Sequence, residues 1–214
     1  MNRLVIALMI ALLPACTYAQ NKGMFAKNPD TKKIIDDTPY LQGTVPEVNG
    51  KVVFSQTIAA PGKSKAELYT LVGSWASARF LQNVENGKWT DKDYFRNLEM
   101  SGVKTNDESA GKLLVQGNEE LVFRNSFLAK DYTEITYQLH IDIKDGAVSV
   151  SMQNISYVYT FSSEKERVEA ELLITDSESF NKKGEFYKVN RKFRVKTINL
   201  KDELFSEIAT TIQQ

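Results

Sequence analysis

The fold is decided at residues 135–159, which read ITYQLHIDIKDGAVSVSMQNISYVY. From Ile135 to Ile143 every second residue is apolar, and the residues between them are polar. This period of two is that of a β-strand with one buried face and one solvated face. Asp145-Gly146 follows as a tight-turn dipeptide. The sequence therefore predicts a β-hairpin, with a second strand after the turn.

The second strand of this hairpin changes its hydrophobic phase. In residues 148–152 the apolar positions are even-numbered, whereas Ile155 and Tyr157 are odd-numbered. Because side chains alternate between the two faces of a strand, such a change needs an extra residue. We predict a β-bulge near Gln153-Asn154, or else coverage of both faces beyond that point.

A helix is predicted upstream of the hairpin, after a first strand at Lys51–Ala60 that is rich in β-branched residues. Ser64 and Glu67 fit a capping box, in which the serine oxygen accepts the Glu67 amide and the Glu67 carboxylate accepts the Ser64 amide. Apolar residues then recur at three- and four-residue spacing, at Leu68, Leu71, Val72, Trp75 and Ala76. This spacing places them on one helix face, so we interpret Trp75 as a core residue and not as a ligand platform.

The middle of the chain predicts less regular structure. Residues 83–110 are polar and punctuated by glycine, which indicates irregular chain with a possible short strand. The strand-like runs Gly111–Val115 and Leu121–Arg124 flank the turn dipeptide Gly117-Asn118. We therefore expect a second hairpin there.

The C-terminal part predicts two helices and an edge strand. Thr175–Glu178 repeats the capping-box pattern, and Gly184 is the expected C-terminal stop of a short helix. Residues 193–198 are expected to add a last edge strand. Asn199 is expected to cap a terminal helix, whose buried stripe would be Leu200, Leu204, Ile208 and Ile212.

The order strand, helix, several antiparallel strands and helix predicts an α+β fold, in which a curved antiparallel sheet is packed on one face by helices. We assign this single domain to residues 50–214. Residues 20–49 are rich in Asn, Lys, Asp, Pro and Gly and have no helical or strand period, so they predict a flexible tether with few contacts.

Residues 1–19 predict a bacterial signal peptide. Arg3 precedes an apolar run from Leu4 to Ala15, which is too short to cross a bilayer as a helix. Small residues at 17 and 19 fit an A-x-A-like site, and we favour cleavage after Ala19. In the alternative, residues 13–16 (LPAC) resemble a lipobox and Cys16 is lipidated.

Either way of processing predicts a periplasmic or outer-membrane-associated protein, with membrane contact only if Cys16 is lipidated. Cys16 is the only cysteine of the chain, so the mature domain is expected to have no disulfide and no thiol chemistry. Loss of residues 1–19 would remove one base from 27 basic and 27 acidic residues. Because this balance gives no positive surplus for phosphates, we expect no nucleic-acid partner.

Five runs of sequence carry a resemblance to a known family: KVVFSQTIAAPGKSKAELYTLVGSWA, LLVQGNEELVF, ITYQLHIDIKDG, QNISYVY and KFRVKTINLKDELF. Together they resemble a family of exported bacterial domains of unknown function that are described as having a TBP-like fold. The resemblance covers Val45 to Ile212. It implies a curved antiparallel sheet backed by helices, and it implies no activity and no functional residues. DNA binding would be an analogy at the level of fold alone.

The candidate binding residues are Thr136, Gln138 and His140, which lie on the polar face of the first hairpin strand. The alternative is a solvated strand face without a ligand. His140 is the only histidine, and a histidine base needs a nucleophile and an orienting partner beside it. We assign no catalytic residue and no metal site, since zinc draws on several His and Cys residues and no calcium-loop pattern is complete. No cofactor is expected, because the glycine patterns of nucleotide-binding loops are missing.

Two functions remain open from the sequence. The export signal and the lack of a catalytic pattern favour a non-enzymatic binding or assembly module of the cell envelope, which would bind an unknown envelope protein or small ligand. The alternative is a periplasmic hydrolase with a site built from carboxylates, which no sequence pattern singles out.

Overall fold

The described residues form a six-stranded antiparallel sheet and a two-stranded ribbon. The computed structural model describes residues 37–81, 100–126, 129–161 and 164–214. The strands are β1 (Glu47–Val48), β2 (Lys51–Val52), β3 (Phe54–Ala59), β4 (Gly102–Asp107), β5 (Lys112–Ser126), β6 (Ala129–Lys144), β7 (Ala147–Phe161) and β8 (Glu164–Glu169). The main sheet has the order β3-β7-β6-β5-β4, and β8 pairs with β7. The predicted first strand is present as β2 and β3, with a break at Val53.

The helices pack on one face of this sheet, which confirms the predicted α+β class. They are α1 (Lys65–Arg79), α2 (Asp176–Ser179) and α3 (Lys188–Ile212), with 3-10 turns at Thr38–Tyr40 and Ala170–Leu172. Side chains of α1, α3 and the sheet share one hydrophobic core. Among the described residues, no helix is both long enough and apolar enough to cross a membrane.

The capping box that starts α1 is present as predicted. The Ser64 hydroxyl oxygen accepts the Glu67 amide at 3.3 Å, and the Glu67 carboxylate accepts the Ser64 amide at 2.9 Å. Trp75 is half-buried against the core, as predicted, and its ring meets the Phe80 ring edge-on at 5.8 Å.

The central hairpin and its bulge are confirmed. β6 and β7 are antiparallel, and their register shifts between Thr136 and Gln138, where β7 has one residue more than β6. Asn154 lies at this point with φ of +53°, a left-handed conformation that asparagine tolerates better than most residues. Ile155 is 1% exposed. The bulge near Gln153-Asn154 therefore keeps the apolar residues of β7 on the core side.

The predicted hairpin around Gly117-Asn118 is wrong. β5 runs without a turn from Lys112 to Ser126 and pairs with β6. Gly117 lies inside this strand, and a Cβ atom there would be 2.2 Å from the Cζ atom of Tyr137. The glycine is needed because an aromatic ring lies against the backbone, and not because the chain turns.

The second capping-box prediction is wrong in its detail. α2 covers only Asp176–Ser179, and Thr175 gives it no side-chain cap. The Thr175 hydroxyl donates instead to the Glu171 carbonyl oxygen at 3.1 Å. Gly184 has a φ of +77° but lies in a separate turn beyond the helix.

The predicted edge strand at residues 193–198 is also wrong, because α3 begins at Lys188 and not after Asn199. The residues buried in its first half are Phe193, Arg194, Thr197 and Ile198, which have helical spacing. Asn199 therefore lies inside the helix, where its side-chain oxygen accepts the Tyr40 hydroxyl at 2.8 Å. The predicted stripe of Leu200, Leu204, Ile208 and Ile212 is buried.

The two remaining strands of the main sheet, β4 and β8, are short. β4 is the short strand expected within residues 83–110, of which residues 83–99 lie outside the described residues. β8 was not predicted, because its sequence EKERVE lacks the alternation of apolar and polar residues that indicates a strand. Such charged strands are common at the edges of sheets, where they prevent pairing with other chains.

The tether prediction is wrong for residues 37–49, which make specific contacts with the domain. Val45 is 5% exposed and belongs to the core. The Asp37 carboxylate pairs with the Arg191 guanidinium. The predicted boundary at residue 50 therefore cuts through packed structure. The signal peptide at residues 1–19, Cys16 and the rest of the predicted tether, residues 20–36, lie outside the described residues.

Arg194 fastens residues 37–45, which we call the N-terminal segment, to α3. Its side chain is 0% exposed. Its guanidinium donates at 2.6–3.1 Å to the carbonyl oxygens of Tyr40, Leu41 and Ile174, to the Thr44 hydroxyl and to the Asp176 carboxylate. Burial lowers the pKa of Arg194, the hydrogen bond and charge of Asp176 oppose this effect, and arginine keeps its charge in proteins.

We expect the Arg194→Met variant to lose about 3 kcal/mol or more of unfolding free energy, because buried carbonyl groups lose their donor. Arg191→Met is the matched control, since Arg191 makes a partly exposed ion pair whose loss costs about 1 kcal/mol or less. Urea unfolding measures both. Equal midpoints for the two variants would contradict this role of Arg194.

Candidate functional site

The open face of the main sheet, on the side away from α1 and α3, brings the three candidate residues into one row. Thr136, Gln138 and His140 occupy alternate positions of β6, and each is half-buried. The residues between them point into the core, where Tyr137 and Leu139 are 0% exposed. The alternation that the sequence shows is thus the alternation of the two sheet faces.

Gln138 is the centre of a group of hydrogen bonds that spans three strands. Its side-chain oxygen accepts the Asn154 amide from β7 at 2.8 Å, and its amide donates to the Gln116 oxygen of β5 at 3.4 Å. His140 Nε2 lies 3.3 Å from the same Gln138 oxygen, and it donates in the tautomer that carries its proton there. We call Gln116, Gln138, His140 and Asn154 the amide cluster.

Thr136 adjoins this cluster on the same face. Its hydroxyl donates to the Asn118 side-chain oxygen of β5 at 3.2 Å. The three candidate residues therefore do not form a separate site. They are the middle row of a wider polar surface that β5 and β7 complete.

A groove of about 250 Å³ lies beside His140 and crosses β6, β7 and β3. Four hydroxyl groups line it, with Ser55 opposite Ser151 and Thr57 opposite Ser149 in the strand register. Strand geometry places these positions at the corners of a rectangle of about 5 Å by 7 Å. Thr57 and Ser149 bond each other at 2.9 Å. We call these four residues and the space between them the hydroxyl groove.

Charged side chains lie at the borders of this surface. At one border Lys112 Nζ is 2.5 Å from the Asp142 carboxylate. At the other, Lys165 Nζ is 3.0 Å from the Glu134 carboxylate. Arg167 donates to the Ser156 hydroxyl at 2.7 Å. The amide cluster and the four hydroxyl residues of the groove include no Asp, Glu, Lys or Arg, and the charged side chain that also lines the groove is that of Asp142, which pairs with Lys112.

The core side of the same strands holds a buried carboxylate, that of Glu119 on β5, which is 0% exposed. Arg79, from the last turn of α1, donates to one of its oxygens at 2.9 Å. The Tyr137 hydroxyl donates to the other oxygen, and the Tyr137 ring lies against Gly117. This network joins α1, β5 and β6 directly beneath the amide cluster.

The pKa values in this network favour a structural role. Burial, followed by the Glu119 charge, raises the pKa of Tyr137 well above its ordinary value. Burial lowers the pKa of Arg79, but the charge and hydrogen bond of Glu119, together with Tyr137 and Glu207, outweigh this effect and the net shift is upward. Tyr137 therefore stays protonated and Arg79 stays charged near neutral pH, so neither exchanges a proton there.

A second groove, of about 510 Å³, lies between α1 and α3. Glu207 lines it and accepts the Trp75 indole N–H at 2.9 Å. Arg79 Nε lies 3.5 Å from the same carboxylate oxygen, so Arg79 is shared between Glu207 and the buried Glu119. Within the described ranges, no group of three or more His, Cys, Asp or Glu side chains is placed to hold a metal.

Sequence reasoning found the middle row of the open face and missed its neighbours. Ser55 and Ser151 meet because β3 pairs with β7, which no local pattern reveals. Asn154 reaches Gln138 because the bulge turns it out of the ladder. The phase change in β7 was the available signal for Asn154, since a bulge often re-aims a side chain.

We expect Gly117→Ala to lose about 2 kcal/mol of unfolding free energy, because the added methyl group would overlap the Tyr137 ring. Gly73→Ala is the matched control. A Cβ atom at Gly73 meets nothing within 4 Å, and alanine favours a helix over glycine by up to about 1 kcal/mol. Chemical denaturation should thus show opposite signs for the two variants, and a neutral Gly117→Ala would contradict the described packing.

A family model described as a domain of unknown function (DUF4468) with TBP-like fold matches residues 54–158. A DUF4468 family protein from Bacteroides ovatus, known from a crystal structure, is 33% identical to this chain in sequence, and the two structures match with a TM-score of 0.70. The match covers 84% of this chain and 96% of that chain. The chain belongs to the DUF4468 family. This confirms the resemblance that the sequence shows.

A second solved structure extends the DUF4468 comparison at the level of fold alone. A TBP-like protein from Parabacteroides distasonis is 22% identical, with a TM-score of 0.63, and the match covers 79% of this chain and 97% of that one. No curated protein matches the chain. Membership of the family therefore establishes a TBP-like α+β fold. It assigns no activity to the chain.

Proposed function

We propose that this DUF4468 chain is a non-enzymatic binding module of the bacterial cell envelope, and that its ligand lies on the open face of the main sheet. The observation that carries the proposal is the joint surface of the amide cluster and the hydroxyl groove. Side chains of four strands contribute to it, none of them Asp, Glu, Lys or Arg, and the Asp142 carboxylate beside the groove is paired with Lys112.

The hydrogen-bonding state of this surface supports a binding role. The hydroxyls of Ser55 and Ser151 make no hydrogen bond to another described residue. The side-chain amide of Gln153, on the same face, is likewise unpaired within the described ranges. These side chains are held on a paired sheet, so little of their conformational entropy is lost when a ligand binds. A surface of this kind is ready to bind before the ligand arrives.

The envelope location rests on the predicted signal peptide. If Cys16 is lipidated, the module would be held at a membrane by residues 17–36. If cleavage follows Ala19, it would diffuse freely in the periplasm.

The residues that the structure describes offer no observation in favour of the hydrolase alternative. A glycosidase-type site needs two carboxylates that converge on a cavity. Among the described residues, the groove between α1 and α3 is lined by one carboxylate, Glu207, which shares Arg79 with Glu119. Two grooves beside His140 are lined by Asp142, which pairs with Lys112. A further groove along β6 and β7 is lined by Asp131, which pairs with Lys192.

A retention experiment tests the proposed surface. The purified chain is immobilised and exposed to envelope extract, and retained proteins and small molecules are identified by mass spectrometry. We expect Thr136→Ala/Gln138→Ala/His140→Ala to lose what the unchanged chain retains, because the middle row of the surface is removed.

The control is Ser206→Ala/Thr210→Ala on α3, which alters the rival groove and should retain the same molecules. Circular dichroism and thermal unfolding verify that both variants are folded. If the triple variant retains everything and the α3 variant does not, the binding surface is between the helices and the proposal is wrong.

A further inference from the structure

We infer that the open face binds a neutral carbohydrate, with one sugar ring seated in the hydroxyl groove beside His140. This inference rests on the proposed function and narrows its ligand to one chemical class. It follows from the charge, the hydrogen-bonding capacity and the shape of the surface.

The charge of the surface selects an uncharged ligand. Asp142 is neutralised by Lys112 at 2.5 Å, and Lys165 by Glu134 at 3.0 Å. Arg167 lies exposed at the border of this surface and donates a hydrogen bond to the Ser156 hydroxyl. A phosphate or a carboxylate placed in the hydroxyl groove would lose water without gaining an opposite charge, which is costly.

The hydrogen-bonding capacity of the surface selects a ligand that both donates and accepts. Serine hydroxyls do both, and those of Ser55 and Ser151 have no partner among the described side chains or backbone. His140 Nδ1 is an acceptor when Nε2 carries the proton that bonds Gln138. The Asn154 side-chain oxygen is a further acceptor, since its amide nitrogen makes the bond to Gln138. Sugar hydroxyls can satisfy all of these groups.

The shape and polarity of the surface argue against a protein partner. Protein interfaces obtain most of their affinity from central aromatic and apolar anchors. Among the described residues of this face, the exposed aromatic side chain is Tyr132, 37% exposed, which lies about 27 Å along β6 from His140. The groove volume of about 250 Å³ is just below the ~300 Å³ lower limit of drug-sized pockets, a size that suits a single ring.

The test is a titration of the ¹⁵N-labelled chain with oligosaccharides, followed by two-dimensional NMR. The neutral probes are oligomers of glucose, galactose, mannose and N-acetylglucosamine. Oligomers of galacturonate and of glucosamine are the anionic and cationic controls. We expect at least one neutral probe, at millimolar concentration, to shift the amide signals of residues 55–57, 138–140 and 149–154.

Two variants separate the hydroxyl groove from the rest of the molecule. Ser55→Ala/Ser151→Ala removes two unpaired hydroxyls and should weaken saccharide binding about tenfold. Ser74→Ala/Ser77→Ala changes two exposed serines of α1 and should leave the affinity within twofold. Unchanged binding by the Ser55→Ala/Ser151→Ala variant overturns the seating of the ring in this groove.

The remaining outcomes separate this inference from the proposed function. Shifts on the open face with the charged oligomers alone overturn the carbohydrate inference and leave the binding surface standing. Concentration-dependent dimerisation through the open face does the same. Shifts confined to α1 and α3 overturn both. No shift with any probe overturns the carbohydrate inference, and the retention experiment then decides the proposed function.

Discussion

The buried carboxylate of Glu119 is stable only with Arg79 and Tyr137 beside it, and much of the sheet depends on that requirement. An isolated buried carboxylate costs several kcal/mol, whereas one that is paired and hydrogen-bonded is tolerated. A slip of β5 by one residue would move Glu119 to the open face and Asn118 into the core. Gly117 adds a steric condition, because the Tyr137 ring needs the space where a Cβ atom would be.

This constraint links the core to the proposed binding surface. Gln116 and Asn118 flank Gly117 on β5, and they reach the open face because Gly117 and Glu119 face inward. The same argument holds for Gln138, which follows Tyr137 on β6. The bulge then turns Asn154 toward Gln138 while Ile155 stays in the core. The amide cluster is therefore positioned from below, by packing that the ligand never touches.

Most of the local patterns predicted their elements correctly, the Thr175–Glu178 capping box being the exception, and patterns that depend on distant partners did not. The alternation in β6, the phase change in β7 and the Ser64–Glu67 capping box are local, and the structure confirms each. The turn predicted at Gly117 is wrong, because this glycine packs against the ring of Tyr137, twenty residues away in sequence.

Arg194 shows the same limit for a charged residue. Sequence reasoning placed it on the predicted edge strand at residues 193–198. Its five acceptors come from residues 40–44 and 174–176, which only the folded chain brings together. For the same reason the N-terminal segment was assigned to the tether. On the open face, the row Thr136, Gln138 and His140 was predictable from β6 alone, whereas the groove hydroxyls required the pairing of β3 with β7.

We propose that packing beneath the sheet positions a neutral ligand surface above it. The most direct test is a crystal structure of the chain soaked with the neutral saccharide that binds most tightly in solution. We predict saccharide density over the hydroxyl groove, with hydrogen bonds to Ser151, His140 or Asn154 and an unchanged Glu119–Arg79 pair beneath. Saccharide density between α1 and α3, with the open face covered only by water, would contradict the account.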